Sequence, residues 1–172
     1  MTTFIQVKPL SLDIDLTNFF KEANQLSYTD NNSYDRLHGQ VFVLLKNNLV
    51  KGMCIVHEFE DGYRILSRTC ILPSFYEKNS IITRSDIKRY QFPFQKWLMP
   101  ACVEYCKHSP MYITTSDSRK GGQRLVHKIW APMMEDMGIL EYLRPIVYRK
   151  SNHHLWKVNG SEFVKQHAKY NS

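Results

Sequence analysis

Two residue pairs, Asn47-Asn48 and Asp61-Gly62, constrain this chain more than any other feature. Asparagine, aspartate and glycine tolerate the left-handed backbone that a tight hairpin turn demands. The segments they join run from Gln40 to Leu45, from Leu49 to Phe59 and from Tyr63 to Leu72, and all three are rich in apolar and β-branched residues. Runs of that kind separated by such turns read as successive antiparallel strands. The expectation is a three-strand meander, with Tyr63 to Leu72 at the centre of a larger sheet.

Helical periodicity surrounds this meander. Phe4 to Leu10 alternates and reads as a first strand. Ser11 then resembles an N-cap, with Asp13 and Asp15 in the first turn, and Leu12, Leu16, Phe19, Phe20, Ala23 and Leu26 follow at helical spacing. Thr29 to Ser33 is a loop, and a short second helix is expected to reach about His38. Phe94, Trp97, Leu98, Ala101, Cys102, Tyr105 and Cys106 mark a further helix, ended by Pro110. Met111 to Ser116 is a brief strand. Leu125, Val126, Ile129, Trp130, Met133, Met134 and Met137 mark a last long helix, with Gly138 as its stop. Pro100 and Pro132 fall inside these two helices, which must kink there or begin afresh. Strands from Leu140 to Tyr148 and from Leu155 to Val158 complete the core, with His153-His154 in the turn between them. The tail after Ser161 forms a short helix or frays. One α/β domain over residues 1–172 is expected, with helices on both faces of the sheet.

The 172 residues are 43% hydrophobic, enough for a core, and carry a formal net charge of +7 with a pI of about 9.2. That charge favours an anionic partner, either nucleic acid or a phosphorylated cofactor. No apolar run approaches the roughly 18 residues of a membrane span, and no leader pattern opens the chain, so a cytoplasmic protein without membrane association is expected. Cys54, Cys70, Cys102 and Cys106 sit among apolar residues. Cys102, Cys106 and His108 could be read as metal ligands. Packing as small hydrophobes is the preferred reading, and no metal is expected.

The order of elements — strand, one or two helices, three-strand meander, helix, strand, helix, two strands — resembles the GNAT acyltransferase superfamily. Ile65 to Pro73 is similar to that family's fourth strand, and Glu135-Asp-Met-Gly-Ile139 is similar to its glycine-phenylalanine pair after the last helix. The resemblance implies a mixed, mostly antiparallel sheet of about seven strands. It also implies an N-acyltransferase that uses acetyl-CoA or another acyl-CoA on an amine acceptor. Backbone groups of Thr69, Cys70, Ile71 and Leu72 would then face the thioester. Two departures stand beside it. Tyr76 to Arg89 contains no glycine where the family holds the coenzyme diphosphate on glycine-rich backbone amides, and Met134 stands where the family places an acidic tyrosine. These departures motivate an alternative, an inactive GNAT-like binding module for nucleic acid or an acidic protein.

Several residues are candidates on their own chemistry. Lys78, Arg84, Lys88 and Arg89 carry charge where glycine amides would serve, and otherwise form a solvated basic loop. Arg68, mid-strand, is either ion-paired or an anchor for an anion. Thr114 to Arg124 offers hydroxyls, glycines and the cations Arg119, Lys120 and Arg124 at a helix start, where ordinary capping is the competing explanation. Asp117 and Ser116 are the catalytic candidates at the sheet's C-terminal edge, with His57 and Glu58 as alternative bases. The C-terminal third interleaves Arg144, Arg149, Lys150, Lys157, Lys165 and Lys169 with Tyr142, Tyr148 and Trp156, a weak single-strand nucleic-acid pattern.

Overall fold

Both turns form as hairpins. In the computed structural model Asn47 and Asn48 have φ of 52° and 67°, and Gly62 has φ of 80°. The structure describes residues 2–25, 39–59, 62–76, 81–117, 126–148 and 151–171, the side chain of Ser67 aside. Strands β2 (Gly39–Lys46), β3 (Leu49–Glu58) and β4 (Arg64–Ile71) pair antiparallel in that order. With β1 (Ile5–Pro9), β5 (Met111–Ser116), β6 (Leu140–Tyr148) and β7 (Ser151–Val158) they make a seven-stranded sheet ordered β1-β2-β3-β4-β5-β7-β6. β4 is therefore the central strand. Pro9 and Pro145 lie on the two edge strands, where a missing N–H costs the sheet least.

The helices are α1 (Thr17–Gln25), α2 (Arg84–Lys88), α3, α4 and α5 (Gly160–Asn171). α3 is a π-helical turn, Phe94–Leu98, continuing as the α-helix Met99–Tyr105, and α4 repeats the device with Val126–Trp130 and Ala131–Asp136. Each proline follows its π-turn, as the second residue of the α-helical part. In α3 the Met99 N–H reaches back five residues to the Phe94 carbonyl. The wider turn takes up the shift in bonding that a proline without an N–H imposes.

Two sequence expectations need correction. α1 starts at Thr17 rather than after Ser11. The Ser11 hydroxyl and Asp13 carboxylate bond to each other in a preceding turn, Leu12 is fully exposed, and Asp15 accepts from the Thr17 N–H at 2.9 Å. β7 starts at Ser151, so His153 and His154 are strand residues paired with Ser116 and Thr115 of β5. The tail forms a full helix, and the expected helix near His38 lies outside the described residues.

Apolar side chains bury on both faces. One cluster packs Leu16, Phe19 and Ala23 against Val43, Met53, Ile55 and Leu72. The larger one joins Leu66, Ile113 and Trp156 to Phe94, Cys102, Trp130, Met134 and Phe163. α5 docks through Phe163 on Tyr90, whose hydroxyl donates to Gln166. Cys102 lies 3.3 Å from Cys54, Cys106 is also in the core and all four cysteines are free, as the packing reading expects.

α4 closes with Gly138 at φ of 80°, where the Ile139 N–H donates to the Met134 carbonyl and that of Gly138 to Glu135. A Cβ there would meet nothing within 4 Å, so only the backbone resists substitution. Gly138→Ala is expected to cost about 1–2 kcal/mol, read by urea denaturation.

Burial pushes the Cys102 and Cys106 thiols and the Tyr90 phenol upward. In the unfolded chain these groups lose protons near their ordinary values of 9.0 and 10.0, while the folded chain keeps them. Their stabilisation is thus complete below those values and is lost as pH rises. Thermal melts should fall between about pH 9 and 11, and Tyr90→Phe should flatten the upper part of that fall.

Candidate functional site

The sheet opens beside its central strand. β4 and β5 run parallel, but their ladder has three Cα pairs, from Arg64↔Met111 to Leu66↔Ile113. Beyond it, Ser67 is an extra residue in β4, since Val56 faces Leu66 and Ile55 faces Arg68. A bulge bends a strand and raises its twist. The described β4–β5 ladder ends there, and the unpaired C-terminal halves of the two strands bound the candidate cleft.

One hydrogen bond fixes which backbone groups face this cleft. The Leu72 N–H donates to Lys51 on the β3 side at 2.8 Å. Backbone groups alternate in direction along a strand, so Cys70 also turns toward β3 while Thr69 and Ile71 turn toward the cleft. Of the four residues expected there, Thr69 and Ile71 direct their main chain to it. Leu72 is fully buried in the α1-side cluster. Across the gap, Thr114 is the first β5 residue past the ladder, and its buried hydroxyl has no hydrogen-bond partner among the described residues.

The basic loop follows. Lys78 lies outside the described residues, and Arg84, Lys88 and Arg89 are exposed on or beside α2. The start of α2 is already capped. Thr83 accepts from the Asp86 N–H at 3.1 Å, and the Asp86 carboxylate accepts from the Thr83 N–H at 2.9 Å. That reciprocal box occupies two amides and sets a negative charge at the helix start. Arg68 is half-buried, and His57 Nε2 lies 2.6 Å from the Tyr148 hydroxyl while Glu58 is exposed. Met134 is fully buried and its sulfur receives the Gln95 amide at 3.6 Å, so it serves the core.

At the end of β5 a polar network assembles that the sequence did not disclose. Trp156 Nε1 donates to the Thr115 hydroxyl at 2.8 Å, and that hydroxyl lies 2.9 Å from His127 Nδ1. His127 Nε2 is 3.4 Å from Asp117 Oδ1, and His154 Nε2 is 2.5 Å from the same oxygen. His154 Nδ1 meets the Tyr142 hydroxyl at 2.8 Å, and the two imidazoles stack at 4.5 Å and 17°. Thr115 is buried, so its hydroxyl proton must go to its one acceptor, His127 Nδ1, and the His127 proton then sits on Nε2 facing Asp117. The hydrogen bond from His154 holds Asp117 below its ordinary carboxylate value, and burial lowers His127. An ionised carboxylate that already bonds to His154 is a weak base, so Asp117 serves to orient that imidazole. Ser116 lies on the opposite face of β5 from Thr115. The link among His127, Thr115 and Tyr142 escaped the sequence reading because nothing local joins them. A histidine at the start of α4 near strand-end Asp117 was the one available signal.

No family model matches the sequence, and neither does any curated protein. Solved structures do match. A GNAT-family acetyltransferase from Elizabethkingia anophelis with acetyl-CoA bound aligns over 90% of this chain and 97% of its own, at 13% identity and a TM-score of 0.53. The fold is that of the GNAT acetyltransferases. Arabidopsis thaliana Naa50, in complex with the bisubstrate analogue CoA-Ac-MVNAL, covers 89% of this chain and 97% of its own at 10% identity and 0.54. A Bacillus subtilis acetyltransferase in complex with CoA covers 90% and 98% at 10% identity and 0.56. The expected GNAT-like sheet with helices on both faces is thus present.

Thr115 is the hinge of the polar network. Thr115→Val keeps the shape but leaves the Trp156 and His127 nitrogens without a partner. Leaving such groups unsatisfied costs about 1–3 kcal/mol, which denaturant unfolding should read.

Proposed function

We infer that the chain is an acyl-CoA-dependent N-acyltransferase acting on an amine in the cytoplasm. The observation that carries this reading is the early end of the β4–β5 ladder, with the Thr69 and Ile71 main chain turned toward the gap beyond it and, on β5, a buried Thr114 hydroxyl that has no partner among the described residues. A buried hydroxyl without a partner is costly unless a ligand completes it. An amide-bearing, extended arm ending in a thioester offers both donors and acceptors for such walls. Acyl-CoA supplies an activated acyl group, here acetyl or longer. The chain's part is to align that arm and to bring the amine alongside it.

The diphosphate end fits differently. Asp86 disfavours an anion at the start of α2, so side-chain cations must hold it, and Arg84, Lys88 and Arg89 are the described candidates in the segment that follows β4. Coenzyme affinity should therefore be more salt-sensitive than in a site built from backbone amides.

The same capping box, with Met134 in the core, favours a second reading, a binding module without acyl transfer. Its exposed cations, Arg84, Lys88, Arg89, Lys157, Lys165 and Lys169, would contact nucleic acid or an acidic protein.

Thermal shift with acetyl-CoA and longer acyl-CoAs separates the two. Ligand at a hundred times its dissociation constant should add about 2.7 kcal/mol of stability, and Thr114→Val should reduce that gain. Oligonucleotide binding that collapses with salt, without any coenzyme effect, would establish the module instead.

A further inference from the structure

The network at the end of β5 brings three potential metal ligands from separate elements: Asp117 after β5, His127 from α4 and His154 from β7. Their ligand atoms all lie within 4.8 Å of one another. The geometry points to a mononuclear site for a divalent transition-metal ion of the zinc type, held by Asp117 Oδ1, His127 Nε2 and His154 Nε2. This site is separate from the cleft reading and stands whether or not acyl transfer does.

Three features carry it. Both imidazoles bring the same ring nitrogen to within 3.4 Å of one carboxylate oxygen, the ligand set of two histidines and an aspartate that a cation of this type takes. Spacing agrees, because bonds of about 2.0–2.1 Å at tetrahedral angles set neighbouring ligand atoms about 3.3 Å apart. The His127 contact already stands at 3.4 Å, and the His154 contact at 2.5 Å opens by less than about 1 Å to reach that spacing. Finally, each outer nitrogen is held by a hydroxyl, Thr115 for His127 and Tyr142 for His154. Ligating histidines characteristically donate their second N–H to such a partner, which fixes the ring.

The proton balance is explicit. Without metal the imidazole protons sit on Nε2 and face Asp117. Metal binding moves each proton to Nδ1, where the Tyr142 and Thr115 oxygens accept it, and no proton need leave the protein. Thr115 then accepts twice, from Trp156 and from His127, and its own hydroxyl proton loses its acceptor. That cost keeps the affinity below that of a fully prepared structural zinc site. The Asp117 side chain is about half exposed, which leaves a coordination position open to water.

The sequence reading expected no metal, since it placed His153-His154 in a turn and read Cys102 and Cys106, beside His108, as packing residues. The test is a titration of the chelator-stripped full chain with Co²⁺, followed by displacement with Zn²⁺. Visible absorption and the thermal transition are both recorded. One equivalent of Co²⁺ should give a low-symmetry absorption band without thiolate charge transfer, and Zn²⁺ should raise the melting temperature. Both responses should vanish in Asp117→Ala and His154→Ala, and Tyr142→Phe should weaken binding about 10–100-fold. Circular dichroism checks that the variants fold, and Asp117→Asn replaces any that does not. Absence of stoichiometric binding would overturn the site. So would binding that survives in folded ligand variants, or a thiolate band that assigns the ion to the cysteines.

Discussion

The rest of the molecule depends on the early end of one parallel ladder. β4 and β5 share three Cα pairs, and the extra residue at Ser67 then turns β4 away from β5. Sheet pairing gives up ladder hydrogen bonds at that point, and unpaired strand edges are normally covered or blunted. Here they bound the candidate cleft. The sheet survives the interruption because each half is closed separately. The hairpins around Asn47-Asn48 and Gly62 lock β2, β3 and β4, while β5, β7 and β6 form an antiparallel set beyond. Packing from Trp130, Met134 and Phe163 spans both halves from one face.

Charge is distributed around this opening in an unusual way. The loop after β4 carries cations but no glycine, and the reciprocal bonds of Thr83 and Asp86 fill the helix start that an anion would use. At the end of β5 two imidazoles converge on one carboxylate within an oriented chain of hydrogen bonds from Trp156 through Thr115. The fold is that of the GNAT acetyltransferases while its polar groups are arranged by their own local chemistry, and fold and function must be argued separately.

The meander was legible because its signals are local. Asn47, Asn48 and Gly62 need a left-handed backbone wherever they occur in such a turn, and strand periodicity did the rest. The start of α1 was misplaced because Ser11, Asp13 and Asp15 all suit an N-terminus, and only the exposure of Leu12 shows that the first of them belongs to a separate turn. The strand character of His153 and His154 depended on pairing with Ser116 and Thr115, 37 to 39 residues away, which no window of sequence displays. The polar network was invisible for the same reason. Thr69 to Leu72 could be placed near a cleft only through the resemblance, and the phase of the backbone came from a single bond, Leu72 to Lys51.

The central claim is that the opening between β4 and β5 receives an acyl-CoA arm on the main chain of Thr69 and Ile71. Backbone amide NMR during an acetyl-CoA titration tests it most directly. The account predicts that the Thr69 and Ile71 amides shift and gain exchange protection together with Thr114, while Cys70 and Leu72, already turned to β3, change little. Saturable shifts confined to Arg84–Arg89 and the C-terminal cations, with Thr69 and Ile71 unmoved, would contradict it.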